Sequence, residues 1–178
     1  MSVAPTSQIA IAKHALRRLV AASAVFQSLV NAADQDEALV HVYLTEAVDD
    51  VDEVEPLRLV CPRPRAIIQQ TGFAVDYGVG ELQEQFTLML SFEFPPPASV
   101  TGGTNGRNIT DETTWFDNQW GGILNEMVAL SGGHDGTNGY FALTTAEVVE
   151  GPMPNNPRED AVGEYYFGVS ISIGGPFP

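Results

Sequence analysis

The stretch Glu81–Phe94, ELQEQFTLMLSFEF, leaves the chain the least freedom. Leu82, Phe86, Leu88, Leu90, Phe92 and Phe94 share one parity, and Gln83, Gln85, Thr87, Ser91 and Glu93 share the other. Side chains alternate across a strand, so this spacing predicts a ribbon with one dry face and one polar face. Such a ribbon needs partner strands and an apolar cover. A first partner stands directly upstream: RAIIQQTGFAVDY, residues 65–77, is joined to it by Gly78-Val79-Gly80, which predicts a long hairpin. Near the C-terminus Tyr165, Phe167, Val169, Ile171 and Ile173 alternate with Glu164, Tyr166, Gly168, Ser170 and Ser172. Together with YFALTTAEVV before it, that segment predicts two closing strands, while LRLV at 57–60 suits a further short one.

The cover comes from two helical patterns. From residue 7 to about 31, Ala12, Leu16, Leu19, Ser23, Phe26 and Val30 recur at spacings of four and three, on one helical face. Asn31 and Asp34 supply stop and start signals, so a short helix is expected from Asp34. ALVHVYLTEA after it suits either a helix or a strand. A second stripe, Phe116, Trp120, Ile123, Met127 and Leu130, predicts a helix over about 111–131, with Thr110 as N-cap and Asp111 and Glu112 complementing its dipole. Gly121 and Gly122 interrupt it at about 1 kcal/mol each relative to alanine. A neighbouring element approaching closely would account for them. The expected fold is α+β: a mainly antiparallel sheet with a long hairpin and two principal helices packed on one face. A single domain spanning 1–178 is expected, with extended loops at 46–56, 95–110 and 151–163.

Charge narrows the partners. Twenty-three acidic residues against eight basic ones give a net charge of −15. Phosphate binding needs clustered cations, so DNA and anionic membranes should be repelled. Arg58, Arg63, Arg65 and the pair Arg17–Arg18 form only small basic groups without interleaved aromatics. No run reaches the length of a membrane span, and IAKHALRRLVAASAVFQSLV is amphipathic, so a folded helix is expected there and not a leader. Cys61 is the single cysteine, so neither an internal disulfide nor a thiolate metal cluster is expected.

Chemistry finds little footing. His14, His41 and His134 lack the helical spacing of a zinc site, and HDG at 134–136 has no nucleophile elbow beside it. GVGELQ lacks the third glycine and the following helix of a phosphate cradle. The acidic run Glu46, Asp49, Asp50, Asp52, Glu53 and Glu55 offers hard oxygen ligands but not the glycine or spacing of an EF-hand. A solvated loop accounts for it. The chain is not expected to be an enzyme or to hold a cofactor or metal.

Two stretches resemble phage and prophage tail terminator, or tail completion, proteins. The first is AIAKHALRRLVAASAVFQSLVNAADQDEALVHVYLTEA; the second is WFDNQWGGILNEMVALSGGHDGTNGYFALTTAEVVEGPMPNNPREDAVGEYYFGVSISI. The acidic run and the proline-rich segment depart from the family pattern. The resemblance implies a small α+β virion subunit, assembled in the host cytoplasm. It would form a closed ring of itself, commonly a hexamer, between the tail tube protein and the head–tail connector protein. Genomic DNA would pass through without specific binding. Pro96, Asn105, Arg107, Pro154, Asn156 and Arg158 are then candidates for the subunit or tube interface. Asp50, Asp52, Glu53, Glu81 and Glu84, with Glu93, are candidates for an acidic lumen. A neck connector or stopper is the alternative within this class; a small enzyme or a peptide-binding adaptor is the alternative outside it.

Overall fold

The computed structural model describes residues 7–44, 63–78, 81–101, 109–130, 142–155 and 164–174. The first helical pattern is realised as two helices, α1 (Gln8–Ala22) and α2 (Ala24–Val30), and not as one. Ser23 separates them with extended dihedrals, φ −66° and ψ 123°. All six stripe residues are nonetheless buried. The break occurs because Ser23 serves better as a cap than as a helical residue: its Oγ accepts the Phe26 N–H at 3.1 Å. The Gln27 amide donates to the Ala21 carbonyl at 2.9 Å, satisfying an orphan acceptor at the end of α1. Asn31 closes α2 in the left-handed region at φ 55°, a conformation asparagine tolerates. Asp34 then caps α3 (Gln35–Leu39), its Oδ1 accepting the Glu37 N–H at 2.9 Å, as its position in sequence predicts.

The open segment 38–47 resolves into the end of α3 and a short strand, β1 (Val42–Leu44). β2 (Arg65–Gly78) and β3 (Glu81–Phe94) form the expected antiparallel hairpin. Its register shifts between Gln70 and Gly72, so Thr71 is an extra residue. That bulge reverses the parity of β2 and lets Phe73 pair with Phe86. β4 (Ala142–Asn155) and β5 (Glu164–Gly174) complete a five-stranded sheet of order β1-β2-β3-β5-β4. Among the described strands only the β1–β2 pair is parallel. The architecture is α+β, with a sheet that is mainly antiparallel. The strand expected at 57–60 lies outside the described residues.

The helix α5 (Ile109–Leu130) begins one residue before the expected cap, so Thr110 is its second residue. Before it, the segment 95–110 contains a short helix, α4 (Ala98–Thr101), where only loop was expected. Between helices and sheet lies an aromatic cluster. Phe92 stands 6.2 Å from Phe26, 5.1 Å from Phe94 and 5.0 Å, edge on, from Trp120. Phe116 joins through Phe94 at 5.8 Å. Each such pair adds about 0.5–1.5 kcal/mol beyond the area it buries.

The two helical glycines differ. A Cβ on Gly122 would stand 3.1 Å from the Val25 Cγ2, which is the close approach expected of it, between α5 and α2. Gly121 has nothing within 4 Å of such an atom, and nothing in the packing requires it.

Candidate functional site: the edges of the sheet

A sheet edge presents backbone donors and acceptors that another chain can pair with, so the outer strands are where an assembly surface is built most directly. Among the described residues the outer strands are β4 and β1. They are unlike in length and in treatment.

β4 spans fourteen residues, Ala142–Asn155, and pairs with β5. Register shifts fall between Leu143 and Thr145, between Val148 and Glu150, and between Glu150 and Met153. Pro152 and Pro154 lie in the same distal half, and proline, having no N–H, is suited only to an edge. The longest run of regular pairing is Thr145–Val148, in the strand's first half. The loop expected at 151–163 is shortened by this strand, because residues 151–155 are sheet. Pro154 pairs with Tyr165 and is not part of a loop.

β1 is three residues long, and a side chain from α1 covers it. Arg17 Nε donates to the Val42 carbonyl at 2.9 Å, and Nη2 donates to the Leu39 carbonyl at 2.6 Å, at the end of α3. One guanidinium thus holds a helix C-terminus and a strand edge together, with charge-assisted bonds to both. One turn earlier on α1, the His14 imidazole is held below its ordinary pKa, first by burial and then by the Arg17 charge.

Behind the edge, β2 enters the sheet beside a cluster of three charges. Glu93 Oε2 accepts from Arg63 Nε at 2.7 Å and from Arg65 Nε at 3.0 Å, with Arg65 Nη2 at 2.7 Å. Arg65 is nearly enclosed, its side chain 7% exposed. A second carboxylate braces the helices: Glu126 of α5 accepts from Ser23 Oγ at 2.5 Å and from the Val25 N–H at 3.2 Å. Glu126 thereby completes the N-terminal capping of α2 begun by Ser23.

Few of the sequence candidates fall among the described residues. Pro96 is buried within the subunit and is not a surface contact. Asn105, Arg107, Asn156, Arg158, Asp50, Asp52 and Glu53 lie outside the described residues, as do Cys61 and His134. Glu81 and Glu84 lie in β3, opposite Gly78 and Val75 of β2. Glu93 is bound by two arginines and presents no free acidity to a lumen. Arg17 and Glu126 are what sequence reasoning missed. The only sequence signals were a cation off the apolar stripe and a serine within it.

Among the described residues, no group of three His, Cys, Asp or Glu side chains could hold a metal ion, and no helix is long and apolar enough to cross a membrane. No protein-family model matches the chain, and no curated protein matches it in sequence.

Proposed function

We propose that this chain is a structural virion protein that forms a ring, a hexamer in the family it resembles, at the end of a phage tail tube. There it ends tube growth and joins the tail to the head connector. The observation that supports this reading is that both stretches carrying the resemblance fold around one core. Residues 10–47 supply α1, α2, α3 and β1, and residues 115–173 supply most of α5 with β4 and β5. They meet where Gly122 abuts Val25, and where Phe26 and Trp120 flank Phe92.

A heterologous ring uses two different patches on each subunit. The segment carrying Asn156 and Arg158 starts from the end of the outer strand β4, and the segment carrying Asn105 and Arg107 leads into α5. These are the patches assigned to subunit and tube contacts. The net charge of −15 suits a passage that DNA must cross without sticking. Asp50, Asp52, Glu53, Glu81 and Glu84 remain the lumen candidates; Glu93 does not, since its charge is matched internally. No chemical step is assigned to the chain.

The test is a focused cryo-electron microscopy reconstruction of the neck in purified virions. Six copies capping the last tube ring is the expected result. Copies one layer nearer the portal would make the chain a connector, and absence from the particle would overturn a virion role.

A further inference from the structure

We infer that Arg17 controls self-association: it closes the β1 edge of the sheet against the β4 edge of a second copy. In a parallel ladder alternate residues bond to the partner strand, and those between them turn outward. The Ala66 N–H donates to the His41 carbonyl at 2.9 Å, and Val42 stands opposite Ala66. His41 and Tyr43 therefore turn toward β2, while the backbone groups of Val42 and Leu44 turn away from it. The outward carbonyl of Val42 is the one that Arg17 Nε occupies.

An uncovered β1 edge would offer a short template to any strand of matching length. Among the described residues that strand is β4, the other outer strand. Its longest regular run, Thr145–Val148, is four residues between register shifts, against the three of β1. The bulges and prolines of the distal half of β4 prevent a longer match. A β4-to-β1 contact joins different edges of successive copies, so it is head-to-tail and need not close. Net charge alone does not prevent it, because repulsion between exposed charges is screened beyond about 8 Å at physiological salt. Arg17 blocks it at contact range. It occupies the acceptor that the incoming N–H requires and sets a cation where the new strand would lie. It acts in the free subunit, so the inference holds wherever the chain is finally placed.

Arg17→Met keeps the packed stem and removes every donor. In sedimentation velocity over a concentration series, the variant is expected to grow by at least about one further copy per particle relative to the native chain. Amide exchange at Val42–Leu44 should quicken at low concentration and slow as particles grow. Adding Leu44→Pro, which removes an outward N–H, should restore native sedimentation. An Arg17→Met protein that is folded by circular dichroism and sediments like the native chain at every concentration overturns the inference. If that variant does not fold, Arg17→Lys decides with a synthetic peptide of residues 142–150. One ammonium holds one carbonyl less firmly than the guanidinium, so the peptide should bind the lysine variant and not the native chain. Equal binding, or none to either, overturns it.

Discussion

The two faces of β3 share one backbone and depend on different physics. On the helix side Phe86, Leu88, Leu90, Phe92 and Phe94 are all buried, and three of the rings that line this side belong to α2 or α5. On the other side Ser91 and Glu93 sit across from Ile67 and Arg65, and the strongest contacts are charge-assisted. The first face is held by volume and shape, which act at short range and cannot be replaced by water. The second is held by matched charge, which loses strength wherever water reaches it. Mutations should therefore be severe on the dry face and moderate on the charged one.

The largest effect is expected from Phe92→Ala, which removes the ring shared by Phe26, Phe94 and Trp120. Unfolding in denaturant should show a loss of about 3–5 kcal/mol. A loss under about 1 kcal/mol would mean that the cluster collapses around the gap and that shape matters less than supposed. Next comes Glu93→Ala, which leaves Arg63 and the nearly enclosed Arg65 without their shared carboxylate. The expected loss is about 1–3 kcal/mol, nearer the lower figure because Glu93 is 20% exposed. A variant at least as damaging as Phe92→Ala would reverse the ranking of the faces. The smallest effects compare two neighbours on the helix that covers the dry face. Gly121→Ala should stabilise by up to about 1 kcal/mol, since its new methyl meets open space. Gly122→Ala should show none of that gain, because its methyl meets the branched Val25 at the α2–α5 contact. Equal melting points for the two variants would show that α2 yields freely.

Much of the fold was legible because periodicity survives whatever the tertiary contacts do. The alternation in β3 and the stripe Ala12–Val30 mark the buried faces, and Asp34 marks a helix start by the same hydrogen bond it makes in the structure. What was misread has one cause in common: a local pattern suited two backbones, and a distant partner chose between them. Ser23 fits the helical stripe, yet Glu126, over a hundred residues away, holds it as a cap. Thr71 fits an unbroken strand, yet the pairing of Phe73 with Phe86 requires it to bulge. Pro154 looked like loop and is edge strand, where its missing N–H costs the ladder nothing.

For the candidate site the division is sharper. Acidity, the lengths of the segments and the unlike patterns of the two closing strands follow from the residues alone. The identity of the outer strands does not, because strand order depends on which ribbons meet after the chain has turned back on itself. Nor does the role of Arg17, one of eight basic residues and unmarked by any motif. Short-range periodicity is written into consecutive residues and determines which faces are apolar. A hydrogen bond from Arg17 to Val42 joins positions 25 residues apart, and only the packing of α1 against α3 and β1 brings them within 3 Å.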